Sequence, residues 1–429
     1  MDRRLQRRYV QLVKEHMSSS TRTAAGPCLL PGRSKSAAAT QAAWRFFNND
    51  RVELAALAEP LRQAGREAAA ESRSDFVLLA HDWCKIDYGK HTAKCDVRQL
   101  THEHDIGYDL TTALLVDADD GAPLAPMQLH VKTADAVYST AEQAPHVDDH
   151  HLNQLEPTMN EAANWDLPRR VVHVIDRESD SLGDFRRWDE LGHEFLVRCD
   201  DRRILWEGES WLISEIVDYF DREVAFQDVG EAMYHGQTVR QEAAEANIVL
   251  HRPHKTRVNG KQYDVPGRPL PMRLVVTRLL DDEGYILAQW TLLTNLLDGV
   301  SAYQIALWYY WRWRIESFFK LLKSHGQQLE HWLQETGEAI TRRMLVAAMA
   351  CVVVWQLEQD NSPEAAEAKT ILMRLSGRSS KPNRPYTAPG LLAGYMALLS
   401  ITDLLQNTDC DLRTLKRLAE TALPFADSS

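Results

Sequence analysis

Between Tyr309 and Lys323 the chain reads YYWRWRIESFFKLLK, and in it one carboxylate, Glu316, stands among Arg312, Lys320 and Lys323. Six aromatic residues crowd positions 309–319. On a helix advancing about 100° per residue, Tyr309, Arg312, Glu316, Lys320 and Lys323 share an arc of about 80°. Trp308, Ile315, Phe318, Phe319 and Leu322 fill the adjacent sector and would hold the helix against a core. One acid fixed on a cationic stripe is what a site for a divalent metal and a phosphodiester needs. The same spacing also suits a solvated face laced by Arg312–Glu316 and Glu316–Lys320 pairs, worth about 0.3 kcal/mol each. The pattern alone leaves both readings open.

Two further acids have the right setting. Asp82 follows the apolar run FVLLA, and Asp176 follows VVHVI, so both are expected where buried strands end. Carboxylates at the carboxyl edge of a sheet converge on a cleft, and a third from a helix packed on that sheet completes a cluster. Three carboxylates suit hard divalent cations, Mg²⁺ or Mn²⁺. Two such ions about 4 Å apart activate a water or a 3′-hydroxyl and stabilise the leaving oxygen of a phosphodiester. Taken singly, either aspartate also fits a turn or helix cap.

These residues need a scaffold, and the composition allows one. The 429 residues hold 44% hydrophobic and 26% charged side chains, ordinary for a soluble globular protein of two or three domains. The longest clean apolar run, Leu345 to Trp355, is too short to span a bilayer. No apolar segment follows the basic start MDRRLQRRY, so no secretory signal is expected. Six cysteines without CxxC pairing suit a reducing cytoplasm. Net charge is −12, yet residues 1–74 carry 13 Lys/Arg against 7 Asp/Glu, a local excess of +6. Phosphate contact depends on such local patches rather than on total charge.

Helix-forming composition predicts helices over Asp2–Met17, Ala37–Phe47 and Val52–Ala70, with a Gly/Pro/Ser break at Gly26–Ser36. Strands are predicted at Phe76–Ala80, Leu110–Val116, Met127–Val131 and Val171–Ile175, and a helix at Leu152–Trp165. Residues from Glu194 to about Leu293 turn strand-like, with a hairpin signal at Asn259-Gly260. A long helix over 301–324 follows. The last hundred residues return to helix around a basic linker, Ser376–Gly390. The fold class is therefore mixed α/β.

With these motifs in order, the chain resembles the DDE transposases of bacterial cut-and-paste elements, specifically the insertion sequence 4 family with its Y-R-E-K signature. Tyr309-x2-Arg312-x3-Glu316-x6-Lys323 matches that signature without a gap, LLAHDWCKIDY matches the first-aspartate strand, and HVIDRESDS matches the second. Arg3 to Arg8 and TQAAWRFFNNDRV look like the family's DNA-binding segment. The basic motif begins at Asp2, nearer the start than is usual there, so an internal start or a shortened DNA-binding domain is expected.

The resemblance implies an RNase H-like core with a β-rich insertion, flanked by helical domains. The implied division is residues 1–72 for DNA binding, 73–330 for catalysis with the insertion at about 194–293, and 331–429 for dimerisation or synapsis. Asp82, Asp176 and Glu316 would bind two Mg²⁺ ions (Mn²⁺ as a substitute), while Tyr309, Arg312 and Lys323 hold phosphates of the element end. Lys320 would add a phosphate contact. Trp290, just before the long helix, falls where the family stacks a flipped base, though it equally suits a core aromatic. Arg198 aligns with an arginine of the family motif.

The implied protein is a cytoplasmic, nucleoid-associated homodimer. It would pair two terminal inverted repeats, cut them through hairpin intermediates and join them to target DNA. A catalytically inactive relic acting as a regulator, or a structure-selective nuclease, are the alternatives. His146, His150 and His151 with Asp148 and Asp149 read as a helix entry rather than a metal site. Arg252, His254, Lys255, Arg257 and Lys261 form either a phosphate patch or a solvated basic loop.

Overall fold

Apolar runs of five or six residues become central strands only when helices cover both faces of a sheet, and this chain supplies them. The computed structural model describes residues 3–18, 36–143, 146, 150–234, 237–258, 261–324, 326–378, 386–407 and 410–422. Helices α1 (Arg3–Ser18), α2 (Ser36–Phe47) and α3 (Leu54–Glu71) come first. Then follow β1 (Phe76–Asp87), β2 (Arg98–Gln99), β3 (Ile106–Asp117), β4 (Pro123–Lys132) and β5 (Val137–Ser139). α4 (Leu155–Ala162) leads to β6 (Arg170–Ile175), α5 (Leu182–Glu190) and β7 (Glu194–Arg198). The strand-rich stretch contains β8 (Arg203–Trp206), β9 (Glu209–Leu212), α6 (Ile213–Arg222), β10 (Gln227–Tyr234) and β11 (Gln237–Leu250). It continues through β12 (His254–Val258), β13 (Lys261–Val265), β14 (Leu270–Leu280) and β15 (Ile286–Thr294). α7 (Ala302–Trp311), α8 (Arg314–Leu322), α9 (Gly337–Gln359), α10 (Pro363–Leu375), α11 (Ala388–Asn407) and α12 (Leu412–Ala422) complete the order.

One mixed sheet runs β5-β4-β3-β1-β6-β7-β15-β14-β11-β8-β9, with β2 on β3 and β10 on β11. β4, β3 and β1 are antiparallel neighbours, whereas β6 and β7 continue parallel to β1. This large mixed sheet with its helices is compatible with an RNase H-like domain. Val77, Leu78, Leu79 and Ala80 of β1 are all buried, as are Val172, Val174 and Ile175 of β6.

Two expectations are corrected and one is extended. First, β1 does not end at Asp82: it runs on to Asp87 because β3 keeps pairing with it, Asp82 opposite Thr112 and Asp87 opposite Gly107. Asp82 lies instead where the second neighbour, β6, stops. Second, the strand-rich stretch from Glu194 extends the main sheet, since β15 pairs β7 with Leu292 opposite Arg198, while β12 and β13 within it form a separate two-stranded sheet. Third, the helix predicted over 301–324 is two helices. Arg312, Trp313 and Ile315 donate to carbonyls three residues back (Tyr309, Tyr310 and Arg312), so the join is one tightened turn. The loop at Gly121 pins that turn from both sides. Arg314 Nε donates to Gly121 O at 2.7 Å, and a Cβ on Gly121 would meet the Trp311 ring at 2.5 Å.

The predicted hairpin is present as β12–β13, Val258 opposite Lys261; Asn259 and Gly260 themselves lie outside the described residues. So do Cys28, Asp148 and Asp149, most of the Gly26–Ser36 break and residues 379–385 of the linker. α9 and α11 are long and apolar enough to cross a membrane by composition, but 78% of the most apolar window of α9 is buried in the protein, against 29% for α11. The cysteines described are all free thiols.

One core joins the ends of the chain. Leu12 of α1, Phe47 of α2, Leu61 of α3 and Val346 of α9 are fully buried in the same cluster as β1 and α8. Arg342 on α9 is buried there, donating to Val52 O at 2.8 Å and Phe47 O at 3.0 Å, with Glu338 as its ion partner. It thus satisfies the last carbonyl of α2, which has no helical partner, and a carbonyl of the connection to α3. Arg342→Ala strands both carbonyls and should cost about 3 kcal/mol. Urea unfolding followed by circular dichroism checks this; a loss below about 1 kcal/mol would mean water replaces the guanidinium.

Candidate active site at the end of β6

Asp82 and Asp176 are neighbours by register. β1 and β6 pair in parallel up to Ala80 opposite Val174, and two more steps bring Asp82 level with Asp176. Side chains alternate along β1, so Asp82 faces the α7–α8 side while His81 and Trp83 face the other. Asp176 caps a short 3₁₀ turn, Arg177–Ser179, its Oδ1 accepting the Glu178 amide at 2.9 Å. Glu316 sits in the first turn of α8, where a carboxylate complements the helix dipole.

Arg312, from the tightened turn, joins them. Its Nη1 lies 2.7 Å from Asp82 Oδ2 and its Nη2 3.6 Å from Glu316 Oε1. Burial pushes the Asp82 carboxyl above its usual range; Arg312 partly offsets this, and the charge of Asp176 adds to the rise. Glu316 is likewise pushed up by burial, with Arg312 and Lys320 opposing and Asp82 and Asp176 adding. Tyr309 is buried, hydrogen-bonded to Arg312 and within the field of Arg198 and Asp176. Its ring lies 6.3 Å from that of Trp290, tilted by 53°. Trp290 is half-buried on β15, and Arg198 ends β7 beside it.

Asp82, Asp176, Glu316, Tyr309, Arg312, Arg198 and Trp290 therefore gather at one sheet edge. The two lysines stand apart from them in different ways. Lys320 is exposed, its ammonium 5.3 Å from the Trp313 ring centre, yet still acts on Glu316. Lys323 caps α8 and turns away to Lys85 O at 2.6 Å and Glu330 at 2.8 Å. It fastens α8 to β1, an arrangement invisible to a spacing rule that treats 309–323 as one straight helix. The histidine segment behaves as a helix entry: His150 Nδ1 accepts the Leu152 amide, and His151 meets Glu178 at 3.0 Å.

Among the described residues no three acidic, histidine or cysteine side chains stand close enough to hold a metal ion as they lie. The donor set nevertheless fits a hard cation: only carboxylate oxygens, two of them raised by burial, with the Arg312 guanidinium against two of them. Glu178 and Trp83, to which the sequence motifs assign no role, are hydrogen-bonded to each other behind the two aspartates. Asp180 of the same D-R-E-x-D run is structural: it pairs with Arg202 and accepts the Asp200 amide at 2.7 Å.

A mixed sheet bringing three carboxylates to one edge, with cations and aromatics around them, is compatible with an RNase H-like DDE domain. A family model for the transposase DDE domain matches residues 106–353, more than half of the chain, and one for a transposase DNA-binding domain matches residues 1–52. The chain belongs to the transposase DDE domain family, and its N-terminal match makes it a DNA-binding transposase with DNA as partner. Domains of this family generally use divalent metals. No curated protein matches the chain. Asp176 and Glu316 lie inside the matched DDE range; Asp82 lies before it and reaches the site through the pairing of β1 with β3 and β6.

Proposed function

We propose that this transposase cuts and joins DNA at the ends of its own insertion sequence, with Asp82, Asp176 and Glu316 as its catalytic acids. The observation that carries this is the convergence of the three carboxylates from β1, the end of β6 and α8, with Asp82 and Glu316 sharing the Arg312 guanidinium. Asp82, Asp176 and Glu316 would hold divalent ions, Mg²⁺ or Mn²⁺, which when bound activate an oxygen nucleophile and neutralise the leaving oxygen.

The protein's own groups position the DNA. Tyr309, Arg312 and Arg198 line the side of the acids towards β7 and β15, and Arg312 offers a planar fork to a phosphate. Trp290, half-buried against Tyr309, presents an aromatic face to an unstacked base, the distortion that a hairpin end requires. Lys320, exposed and flexible, contacts phosphate as a point charge. Lys323 serves the same wall from behind by holding α8 on β1.

The N-terminal helices fit duplex binding. α1 buries Tyr9, Leu12 and Val13 and leaves Arg3, Arg4, Arg7 and Lys14 on its exposed surface, a cationic face for phosphates. The active species is a homodimer that synapses two ends in the bacterial cytoplasm, and the helices after α8 supply contacts between protomers.

The test is a supercoiled plasmid carrying the DNA that flanks the gene, incubated with the protein and Mg²⁺. Excised or hairpin-ended fragments dependent on the flanking inverted repeats are expected. Retarded but uncut DNA would instead identify a DNA-binding regulator, and cutting that ignores the repeats a structure-selective nuclease.

A further inference from the structure

β1 and β6 are paired only up to Ala80 and Val174, so the strand ladder does not reach the two aspartates. Another set of contacts does. The Trp83 amide donates to Asp82 Oδ1 at 2.8 Å, and the Glu178 amide donates to Asp176 Oδ1 at 2.9 Å. On the rear face of the sheet the Trp83 indole N–H donates to Glu178 Oε2 at 2.8 Å. His151 locks the pair from the side, its ring 4.3 Å from the Trp83 ring and its Nε2 3.0 Å from the same carboxylate oxygen. Each catalytic acid is thus oriented by the amide of a residue whose side chain binds the other's. The set forms a chain of hydrogen bonds that runs from Asp82 through Trp83 and Glu178 to Asp176.

We propose that Trp83 and Glu178, steadied by His151, are positioning residues that set the separation and aim of Asp82 and Asp176 and so tune divalent-cation affinity. The inference rests on the assignment of those two aspartates as metal ligands. It deepens that assignment by naming the brace behind them. The Trp83 indole N–H is committed to Glu178, and its ring lines a cavity of about 500 Å³ together with His130, His150 and Glu178. A displaced ligand of even a fraction of an ångström weakens oxygen coordination, because small hard cations demand near-ideal geometry.

The experiment measures Mn²⁺ binding to the full chain from the electron paramagnetic resonance signal of the free ion, alongside DNA cleavage at varied Mn²⁺. Trp83→Phe keeps the ring on His151 but removes the indole donor; Glu178→Ala removes the acceptor. Each should weaken Mn²⁺ binding about tenfold and raise the Mn²⁺ needed for half-maximal cleavage in proportion. Cleavage at saturating Mn²⁺ and retardation of end DNA should hold. Because both variants break the indole–carboxylate bond, and Glu178→Ala also frees His151, the double variant should be no worse than Glu178→Ala alone. Glu178→Gln, whose Oε1 still accepts from the indole, should restore binding to within about twofold.

If Asp82→Asn abolishes Mn²⁺ binding while Trp83→Phe and Glu178→Ala bind as the unaltered protein does, the brace is refuted and the acid assignment stands. If Asp82→Asn itself binds Mn²⁺ normally, both fall. Should Glu178→Ala lower the melting midpoint, Trp83→Phe and Glu178→Gln carry the test.

Discussion

Asp82→Asn and Glu316→Gln are expected to lower strand cleavage by about a thousand-fold or more while leaving binding of element ends intact. Each exchange keeps the shape of the side chain and removes its charge. Asp82 is 14% exposed and Glu316 28%, so little water stands ready to replace a lost carboxylate. The DNA-binding match covers residues 1–52, away from both acids in the sequence, so end recognition has no reason to fall with them. Gel retardation and plasmid nicking in Mg²⁺, run on the same preparation, separate the two effects. Nicking by either variant at a tenth of the normal rate would remove these residues from the chemistry.

Arg312→Gln is expected to cost about 3 kcal/mol of folding stability at neutral pH, because it leaves buried carboxylates without their counter-charge. The loss should shrink in acid. Asp82 and Glu316 are already raised by burial, and Arg312 is the group that most opposes this in both. Without it their folded values climb further above the unfolded ones. A group raised on folding binds its proton more tightly in the native state, so its stabilising contribution is present below the unfolded pKa and is lost as pH rises through the folded one. Urea unfolding at about pH 7.5 should therefore show the full deficit and at about pH 5 a smaller one. An equal deficit at both values would place the cause in lost packing rather than charge. Mg²⁺ should stabilise the variant more than the unaltered protein, since a divalent ion supplies the missing positive charge.

The acids were legible because their signals are local: an apolar run ending in Asp, and Glu316 at fixed spacing from Arg312 and Tyr309. The strands around them were legible for the same reason, and the helices of residues 3–71 fell within two residues of composition-based expectation. What sequence did not reveal depends on partners far along the chain. β1 outruns its apolar core because β3 continues beside it, and only the pairing of β7 with β15 joins most of the strand-rich stretch to the main sheet. The break at Arg312-Trp313 depends on a contact with Gly121, and Lys323 is drawn to Lys85 and Glu330, neither of which a heptad-like count includes. Glu178 stood in plain view in D-R-E-x-D, but its bond to Trp83 spans 95 positions.

The pleat of β1 has a consequence for how such a gene can change. Asp82 and Trp83 are consecutive codons serving opposite sides of one strand, with β3 fixing the register on one flank and β6 on the other. Gain or loss of a single codon between Phe76 and Ala80 would turn the carboxylate to the rear and the indole to the front, erasing both at a stroke. Exchange of one side chain for another leaves that order untouched. Descendants of this gene should therefore diverge here by substitution and keep this interval constant in length.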